Sequence, residues 1–218
     1  MERLILIFEI IGTISFALTG AMTGLKKQMD IFGVCVLGVT TAVGGGIIRD
    51  LILGLTPPSA FCDPTSVLIA IAVSIIVFFP AVRRIFYRNK WLYEHVLLLA
   101  DSAGLGIFTV CGARVAMEAG DGANRFLVIF VAALTGVGGG VLRDLFAGDR
   151  PYIFVKHVYA CSALLGALVC VYLWPLVGRD IAMLVGFVLV FVMRLCSAHF
   201  RWSLPHARRL AEEEEKIS

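Results

Sequence analysis

Two short segments of the sequence combine a glycine triplet with a charged pair. Residues 41–54 read TAVGGGIIRDLILG, and residues 135–148 read TGVGGGVLRDLFAG. Three consecutive glycines weaken a helix by about 1 kcal/mol each relative to alanine, so each triplet predicts a break or kink. A broken helix in lipid frees backbone groups that only protein or a wet cavity can satisfy, and its carbonyl end suits a cation. The chemistry that these segments indicate is ion binding inside a membrane.

The candidate site residues come from these segments and from two acids that precede them. Backbone ligands would come from Gly44, Gly45, Gly46, Gly138, Gly139 and Gly140, with the hydroxyls of Thr41 and Thr135 beside them. The charges placed inside the membrane are Glu9, Arg49, Asp50, Asp101, Arg143 and Asp144. An unpaired charge there costs about 2.5–3.5 kcal/mol on insertion scales, so each of them needs a partner or water.

The sequence also suggests how these charges pair. Each arginine directly precedes its aspartate, and adjacent residues on a helix point about 100° apart, which disfavours a pair between neighbours. The predicted partners are Asp144 or Asp101 for Arg49, and Asp50 or Glu9 for Arg143. Such pairs could lock the fold, line an ion pathway, or do both.

The composition places these segments in a membrane protein. Of the 218 residues, 59% are hydrophobic and 16% are charged, and the mean hydropathy is +0.91. A chain of this length cannot bury so much apolar surface in one water-soluble core, which argues against a soluble enzyme, a nucleic-acid-binding module or a disordered chain. The six cysteines show no disulfide or zinc spacing, and no catalytic motif occurs. We expect no enzymatic activity, no cofactor, and no metal beyond transient monovalent cations.

Seven apolar stretches are long enough to cross a membrane, since a bilayer core needs about 20 apolar residues per helix. They cover approximately residues 4–24, 31–54, 65–86, 95–117, 124–148, 154–174 and 178–199. We therefore expect an all-α integral membrane fold with seven transmembrane helices. Residues 1–200 would form a single transmembrane domain, and residues 201–218 a cytoplasmic tail.

The two glycine segments belong to a longer internal repeat. Nine of their fourteen positions are identical at an offset of 94 residues. Upstream, Glu9 matches Asp101, Gly12 matches Gly104, Phe16 matches Phe108, and Gly20 matches Gly112. Repeat 1 then covers about 4–86, repeat 2 about 95–174, and span 7, at about 178–199, is an addition. Because each copy has three spans, the copies must lie in opposite orientations, and this 3+3 inverted repeat is typical of transport proteins.

The distribution of lysine and arginine predicts the orientation. With Arg49 and Arg143 set aside, one side of the membrane holds 4 basic residues and the other holds 13. The positive-inside rule places the richer side in the cytoplasm. We expect the N-terminus outside, and the C-terminus inside with its acidic run Glu212 to Glu215.

A doubled Gly-Gly-Gly-x-x-Arg-Asp motif in a seven-span chain of this size resembles the bacterial members of the trimeric intracellular cation (TRIC) channel superfamily. These include an uncharacterised inner-membrane family that carries a "glycine transporter" label. The resemblance implies a homotrimer in the bacterial inner membrane with one pore per subunit. It also implies that spans 2 and 5 are kinked at the glycines, line the pore, and conduct potassium and sodium. Animal members carry a lysine-containing motif linked to voltage gating, whereas both repeats here keep plain glycines.

Three functions remain open at the level of sequence. The first is a passive monovalent-cation channel, with carbonyls and threonine hydroxyls replacing part of the water shell of the ion. The second is a secondary transporter of a small zwitterion such as glycine, whose carboxylate would bind half-helix N-termini after Gly46 and Gly140. The third is a membrane scaffold in which the glycines only allow close helix packing.

Overall fold

The computed structural model describes residues 2–120, 124–155, 158–200 and 202. Every regular element in these ranges is a helix. The helices are α1 (Glu2–Lys26), α2 (Ile31–Ile52), α3 (Ser59–Cys62), α4 (Thr65–Phe78), α5 (Pro80–Arg88), α6 (Lys90–Glu118), α7 (Arg125–Phe146), α8 (Tyr152–Val155), α9 (Tyr159–Val177) and α10 (Arg179–His199). Apart from Trp202, the predicted tail at 201–218 lies outside the described residues, including Glu212 to Glu215.

Short polar side chains fix where three of the long helices begin. The carboxylate of Asp30 accepts a hydrogen bond from the Gly33 amide at 2.7 Å before α2. Asn89 and Asn124 accept bonds from amides in the first turns of α6 and α7, each at 3.1 Å. These side chains satisfy N–H groups that have no partner inside the helix. Polar residues in the short loops therefore set the ends of the apolar helices.

Within the described ranges, six helices are long and apolar enough to cross a membrane, namely α1, α2, α6, α7, α9 and α10. The predicted third span, residues 65–86, is two helices in the structure. The apolar helix α4 has only 14 residues, about 21 Å at 1.5 Å per residue. It ends where Phe79 turns extended (φ −55°, ψ 136°), because the residue before a proline is pushed out of the helical region. The basic helix α5 then starts at Pro80.

The repeated helices lie antiparallel to one another. At one end, Arg114 near the end of α6 pairs with Glu9 near the start of α1, at 3.1 Å. At the other end, the Tyr93 hydroxyl at the start of α6 lies 3.5 Å from the carbonyl oxygen of Met22 near the end of α1. The first helices of the two repeats therefore run in opposite directions, as an inverted repeat requires.

The last helix, α10, packs against α6 and α9 through small residues. A Cβ atom added at Gly186 would lie 3.1 Å from the carbonyl oxygen of Gly166 on α9 and 3.0 Å from Val110 on α6. In the sequence, the small-residue faces of these two helices suit either a subunit interface or packing within the chain. At these two glycines the structure uses them within the chain.

The outer surface of the helix bundle is apolar. Phe126 is 79% exposed and Leu176 is 77% exposed. Isoleucine, leucine and valine side chains are also exposed along α1, α9 and α10. Exposed apolar patches of this extent mark a membrane or subunit contact. The surface therefore fits the membrane environment predicted from composition.

Two ion pairs connect loops that the repeat places on the same side of the membrane. Lys27, after α1, lies 2.6 Å from Asp149, after α7. Arg179, at the start of α10, lies 3.3 Å from Glu118, at the end of α6. Each pair joins segments that are far apart in sequence. These contacts relate the helix ends to one another and leave the inside and outside assignment as a prediction.

These contacts can be tested by cross-linking in a background that lacks the native cysteines. With Lys27→Cys and Asp149→Cys together, a short bis-maleimide should join the two positions within one chain, because their native side chains touch. The control combination, Lys27→Cys with Glu118→Cys, should stay unlinked, because these residues lie at opposite ends of the helices. Cleavage of the chain between the two positions, followed by electrophoresis, reads out the link. Equal linking in both combinations would contradict the topology.

Candidate functional site

The two glycine triplets face each other where α2 and α7 cross. A Cβ atom at Gly45 would overlap the carbonyl oxygen of Thr135, and one at Gly139 would overlap the carbonyl oxygen of Thr41. A Cβ atom at Gly138 would lie 3.2 Å from the Cα atom of Gly45. The two backbones therefore touch at a point where only glycine fits.

The predicted helix break is wrong for this structure. Both α2 and α7 continue without interruption through their glycines, from Ile31 to Ile52 and from Arg125 to Phe146. The physical reason is that the triplets allow the two backbones to approach, and this packing holds the helices together through their weakest turns. A kink that leaves the helices continuous remains a prediction.

The two threonines beside the triplets bond to their own helices. The Thr41 hydroxyl donates to the carbonyl oxygen of Leu37 at 2.6 Å, and the Thr135 hydroxyl donates to that of Val131 at 2.7 Å. Both side chains are buried. In this conformation their hydroxyl hydrogens are used in bonds within the helix, as is common for threonine in membrane helices. Their backbone carbonyls, by contrast, point at the glycines of the opposite helix.

Two phenylalanines that match in the repeat lie next to this crossing. The rings of Phe16 and Phe108 have centroids 5.1 Å apart. The ring of Phe16 occupies the space above Gly104, and Phe108 lies against Gly12 in the equivalent place. Phe16 also touches Gly139 on α7. The sequence analysis aligned these four residues but assigned them no role, and their joint match across the repeat was the available signal.

Each arginine of the repeated motif bonds to its own neighbour. Arg49 Nε donates to Asp50 at 2.7 Å, and Arg143 Nε donates to Asp144 at 2.9 Å. The predicted pairing between the two motifs is therefore wrong. The long arginine side chain bends back far enough for its guanidinium to reach the adjacent carboxylate, although the two Cα–Cβ bonds diverge.

The second oxygen of each aspartate holds the loop that follows its helix. Asp50 Oδ2 accepts from the Ser59 amide at 2.8 Å and from the Ser59 hydroxyl at 2.7 Å. Asp144 Oδ2 accepts from the Tyr152 amide at 2.8 Å. The Arg-Asp pairs thus fix the short helices α3 and α8 in equivalent places. Their observed contacts are structural.

Asp101 is at the centre of a buried charge cluster. Arg143 donates to Asp101 Oδ1 at 2.8 Å, and Arg194 lies 3.6 Å from Asp101 Oδ2. The Arg194 guanidinium also lies over the ring of Tyr159, 4.6 Å from its centroid. Arg194 is one of the 13 basic residues that the positive-inside rule places on the cytoplasmic side, whereas the structure leaves it only 2% exposed. Because α10 has no counterpart in the repeat, no alignment signal marked this residue.

The repeat-matched acid Glu9 has a different partner. It pairs with Arg114 at 3.1 Å, and its side chain is 44% exposed. Asp101, in contrast, is almost fully buried between arginines. The two ends of the molecule are therefore electrostatically unequal although the backbone repeat is nearly symmetric.

Two cavities enter the helix bundle from opposite ends of α1. The larger has a volume of about 840 Å³, and its lining combines apolar side chains with polar ones and with the charged residues Lys26, Lys90, Glu94, Asp101 and Arg194. The smaller has a volume of about 160 Å³ and is lined by Glu9, Thr13, Gly46, Arg49, Asp63 and Phe108 among others. Along α1, Phe16 lies between the levels of these cavities, whereas the glycine crossing lies beside the smaller one, which Ala42, Val43 and Gly46 help to line.

Asp63 contributes a negative charge at the smaller cavity. It lies in the loop between α3 and α4 and is exposed. The Thr65 hydroxyl and amide donate hydrogen bonds to its carboxylate at 2.6 and 3.0 Å, and these bonds lower its pKa. Asp63 therefore stays ionised at neutral pH and places a negative charge at this end of the molecule.

This chain is similar in sequence to known membrane proteins. The family described as glycine transporter matches residues 6–81 and 98–175, one match for each repeat. The UPF0126 membrane protein YvgT of Bacillus subtilis is 36% identical over 92% of this chain and 95% of its own length. The chain belongs to this family, within the TRIC superfamily. The UPF0126 inner membrane protein YadS of Escherichia coli is 35% identical over 90% of this chain and 93% of its own length.

Solved structures of TRIC channels share the fold. A TRIC cation channel whose structure was studied for conductance is 38% identical, with a TM-score of 0.82 over 93% of this chain and 97% of that chain. A prokaryotic TRIC channel crystallised in 0.5 M KCl is 33% identical, with a TM-score of 0.83 over 94% of this chain and all of that chain. The Rhodobacter sphaeroides orthologue is 35% identical, with a TM-score of 0.82 over 91% of this chain and 98% of that chain.

In this TRIC family member, the glycine crossing limits the size of the side chain at Gly45, and this limit can be tested by mutation. Gly45→Ala should lower the unfolding midpoint, because its methyl group meets backbone and overpacking costs about 1–3 kcal/mol. Gly46→Ala is the matched control, since its Cβ atom would lie 3.6 Å from the nearest neighbouring side-chain atom, Arg49 Nη2. It should leave stability unchanged or raise it by up to about 1 kcal/mol. Thermal unfolding in detergent, followed by tryptophan fluorescence, distinguishes them; equal midpoints would contradict the close contact.

The buried charge cluster makes a second prediction. Arg143→Met should destabilise the protein by about 3–5 kcal/mol, because it leaves two buried carboxylates without their main partner. Arg179→Met removes an arginine from half-exposed surface pairs and should cost less than about 1 kcal/mol. The same unfolding assay compares them. Similar losses in both variants would show that the Asp101 cluster is not a structural centre.

Proposed function

We propose that this protein is a passive channel for potassium and sodium, with one pathway inside each subunit of a homotrimer. The observation that carries the proposal is the pair of cavities that enter one chain from opposite ends of α1, with Phe16 between their levels and with Phe108 and the glycine crossing at the smaller one. The TRIC cation channels that share this fold support it. The proposed setting is a bacterial inner membrane, with seven spans that include α4, the N-terminus outside and the C-terminus in the cytoplasm.

In this proposal the described conformation is the closed state. Phe16, which lies between the two cavity levels along α1, is only 1% exposed, and the backbones of α2 and α7 touch beside the smaller cavity. An opening motion would separate the two triplets. Because glycine tolerates many backbone conformations, we propose that a kink forms at Gly44–Gly46 and Gly138–Gly140 when the helices part.

Separation of the helices would uncover cation ligands. The carbonyl oxygens of Thr41 and Thr135 point at Gly139 and Gly45 across the crossing. Carbonyl oxygens can replace part of the water shell of a monovalent cation. In the open state these two carbonyls and the freed glycine carbonyls would therefore line the narrowest part of the pathway. Asp63 and Glu9 would attract cations at the smaller cavity.

The transporter alternative finds no support in the predicted binding groups. It required half-helix N-termini after Gly46 and Gly140, and both helices are continuous there. The scaffold alternative leaves the two cavities and the matched phenylalanines without a role. The channel is therefore the function that the geometry supports best.

The deciding experiment is purified protein in a planar bilayer under a potassium chloride gradient. A channel gives discrete current steps whose reversal potential follows the potassium gradient, and sodium sustains the current whereas a large organic cation does not. Accumulation of labelled glycine in liposomes, with no such steps, would overturn the channel and favour a carrier. Cross-linking of the purified protein to a limit of three chains tests the trimer.

Removal of the phenylalanine barrier gives a specific prediction. Phe16→Ala should raise the open fraction, because it removes packing from the closed state. Each 1.4 kcal/mol of lost stabilisation shifts the equilibrium between closed and open states about tenfold. Phe126→Ala removes an equally large ring that is 79% exposed on the outer surface and should leave the open fraction unchanged. Single-channel recording measures both. A Phe16→Ala protein that stays silent, although folded and trimeric, would contradict a pathway at this position.

A further inference from the structure

The larger cavity reaches an ion pair whose two members each keep an unused polar atom. Asp101 and Arg194 both line this cavity, and each is only 2% exposed. Their closest approach is 3.6 Å, from Arg194 Nη2 to Asp101 Oδ2, which is too long for a hydrogen bond. Within the described part of the chain, Asp101 Oδ2 and Arg194 Nε have no hydrogen-bond partner. One buried acceptor and one buried donor of this ion pair therefore lack a hydrogen-bond partner among the described residues.

The surrounding charges set the sign of the missing partner. Asp101 Oδ1 already accepts from Arg143, whose Nε bonds to Asp144. The cluster therefore contains two arginines and two aspartates and has no net charge. A simple anion would meet Asp101, and a simple cation would meet Arg194. A molecule that carries a positive and a negative group close together satisfies both the carboxylate oxygen and the guanidinium nitrogen at once.

Apolar side chains form part of the remaining lining, beside the charged side chains of Lys26, Lys90 and Glu94. Phe86, Leu97, Leu98 and Trp202 form part of its lining. Its volume of about 840 Å³ lies within the range of roughly 300–1,000 Å³ for small-molecule sites. A water molecule or a bare ion leaves most of this space empty.

We propose that this cavity binds a zwitterion with an apolar side chain, that is, an α-amino acid of the leucine type. The ammonium group would donate to Asp101 Oδ2, the carboxylate would accept from Arg194 Nε, and the side chain would lie against Leu97 and Leu98. The headgroup of an ethanolamine phospholipid offers the same chemistry, an ammonium and an anion next to an apolar part. The proposal is a ligand site and does not rest on ion conduction.

The test is equilibrium binding to the full-length protein in nanodiscs of phosphatidylglycerol, which lacks the ammonium group. Radiolabelled leucine is the first probe, and labelled dihexanoyl phosphatidylethanolamine is the second. Isovalerate and isoamylamine serve as competitors, because each keeps the apolar part of leucine and only one of its charges. We expect saturable leucine binding, and each competitor should be about tenfold or more weaker, since it forgoes one charge-assisted hydrogen bond.

Two variants and a control locate the site. Arg194→Gln removes the proposed carboxylate partner and should weaken leucine binding about tenfold or more. Ala198→Trp keeps both charges but fills the cavity that Ala198 lines, so it should abolish binding even if Arg194→Gln folds poorly. Arg179→Gln is the matched control, because Arg179 is also ion-paired on α10 but lies at the opposite end of the helix. It should bind as the wild type does.

The outcomes separate the sources of the ligand. Leucine binding that is lost in both variants supports the site and a free amino acid. If only the phosphatidylethanolamine probe binds, and the same variants abolish it, the chemistry stands and the source is a lipid. If neither probe binds the wild-type protein, or if binding persists in both variants, the proposal is overturned. Because the readout is binding, a silent bilayer does not affect this result.

Discussion

The contact between the backbones of α2 and α7 is the constraint on which the rest of the structure depends. Only glycine allows the carbonyl oxygens of Thr41 and Thr135 to reach the opposite helix, and a methyl group at Gly45 or Gly139 would overlap them. This crossing brings the two repeats together at their centre. It also positions Phe16 between the halves, because the ring of Phe16 rests on Gly104 and Gly139. The two repeats are thus joined at glycines, which have no side chains.

The buried charges lie around this crossing and make two different sets of structural contacts. The Arg-Asp pairs hold the loops after α2 and α7, since each aspartate binds an amide at the start of a short helix. Asp101 then joins α6, α7 and α10 through Arg143 and Arg194. A buried charge that loses its partner is costly, so these contacts favour one arrangement of the helices. Two members of the cluster, Asp101 and Arg194, also line the larger cavity.

The near-symmetric backbone carries an asymmetric set of charges. Glu9 and Asp101 match in the repeat, but Glu9 is half-exposed beside Arg114 whereas Asp101 is enclosed by arginines. The difference arises from two arginines: Arg143 pairs with Asp101 whereas its repeat match Arg49 pairs with Asp50, and α10, which has no repeat partner, adds Arg194 beside Asp101. An ion that crossed such a molecule in one direction would meet its electric fields in a different order from an ion that crossed in the other direction. An added helix therefore distinguishes the two ends of a duplicated core.

The sequence by itself determined the membrane class, the repeat and the location of the centre, because these follow from composition and from identities such as the doubled triplets and the Glu9–Asp101 match. It also identified the glycines as an unusual weakness in two apolar helices. Only the tertiary structure decided what they do. Whether three glycines break a helix depends on what packs against them, and here the opposite backbone does. The pairing of Arg49 and Arg143, and the burial of Arg194, likewise depend on distances across helices that no local spacing contains.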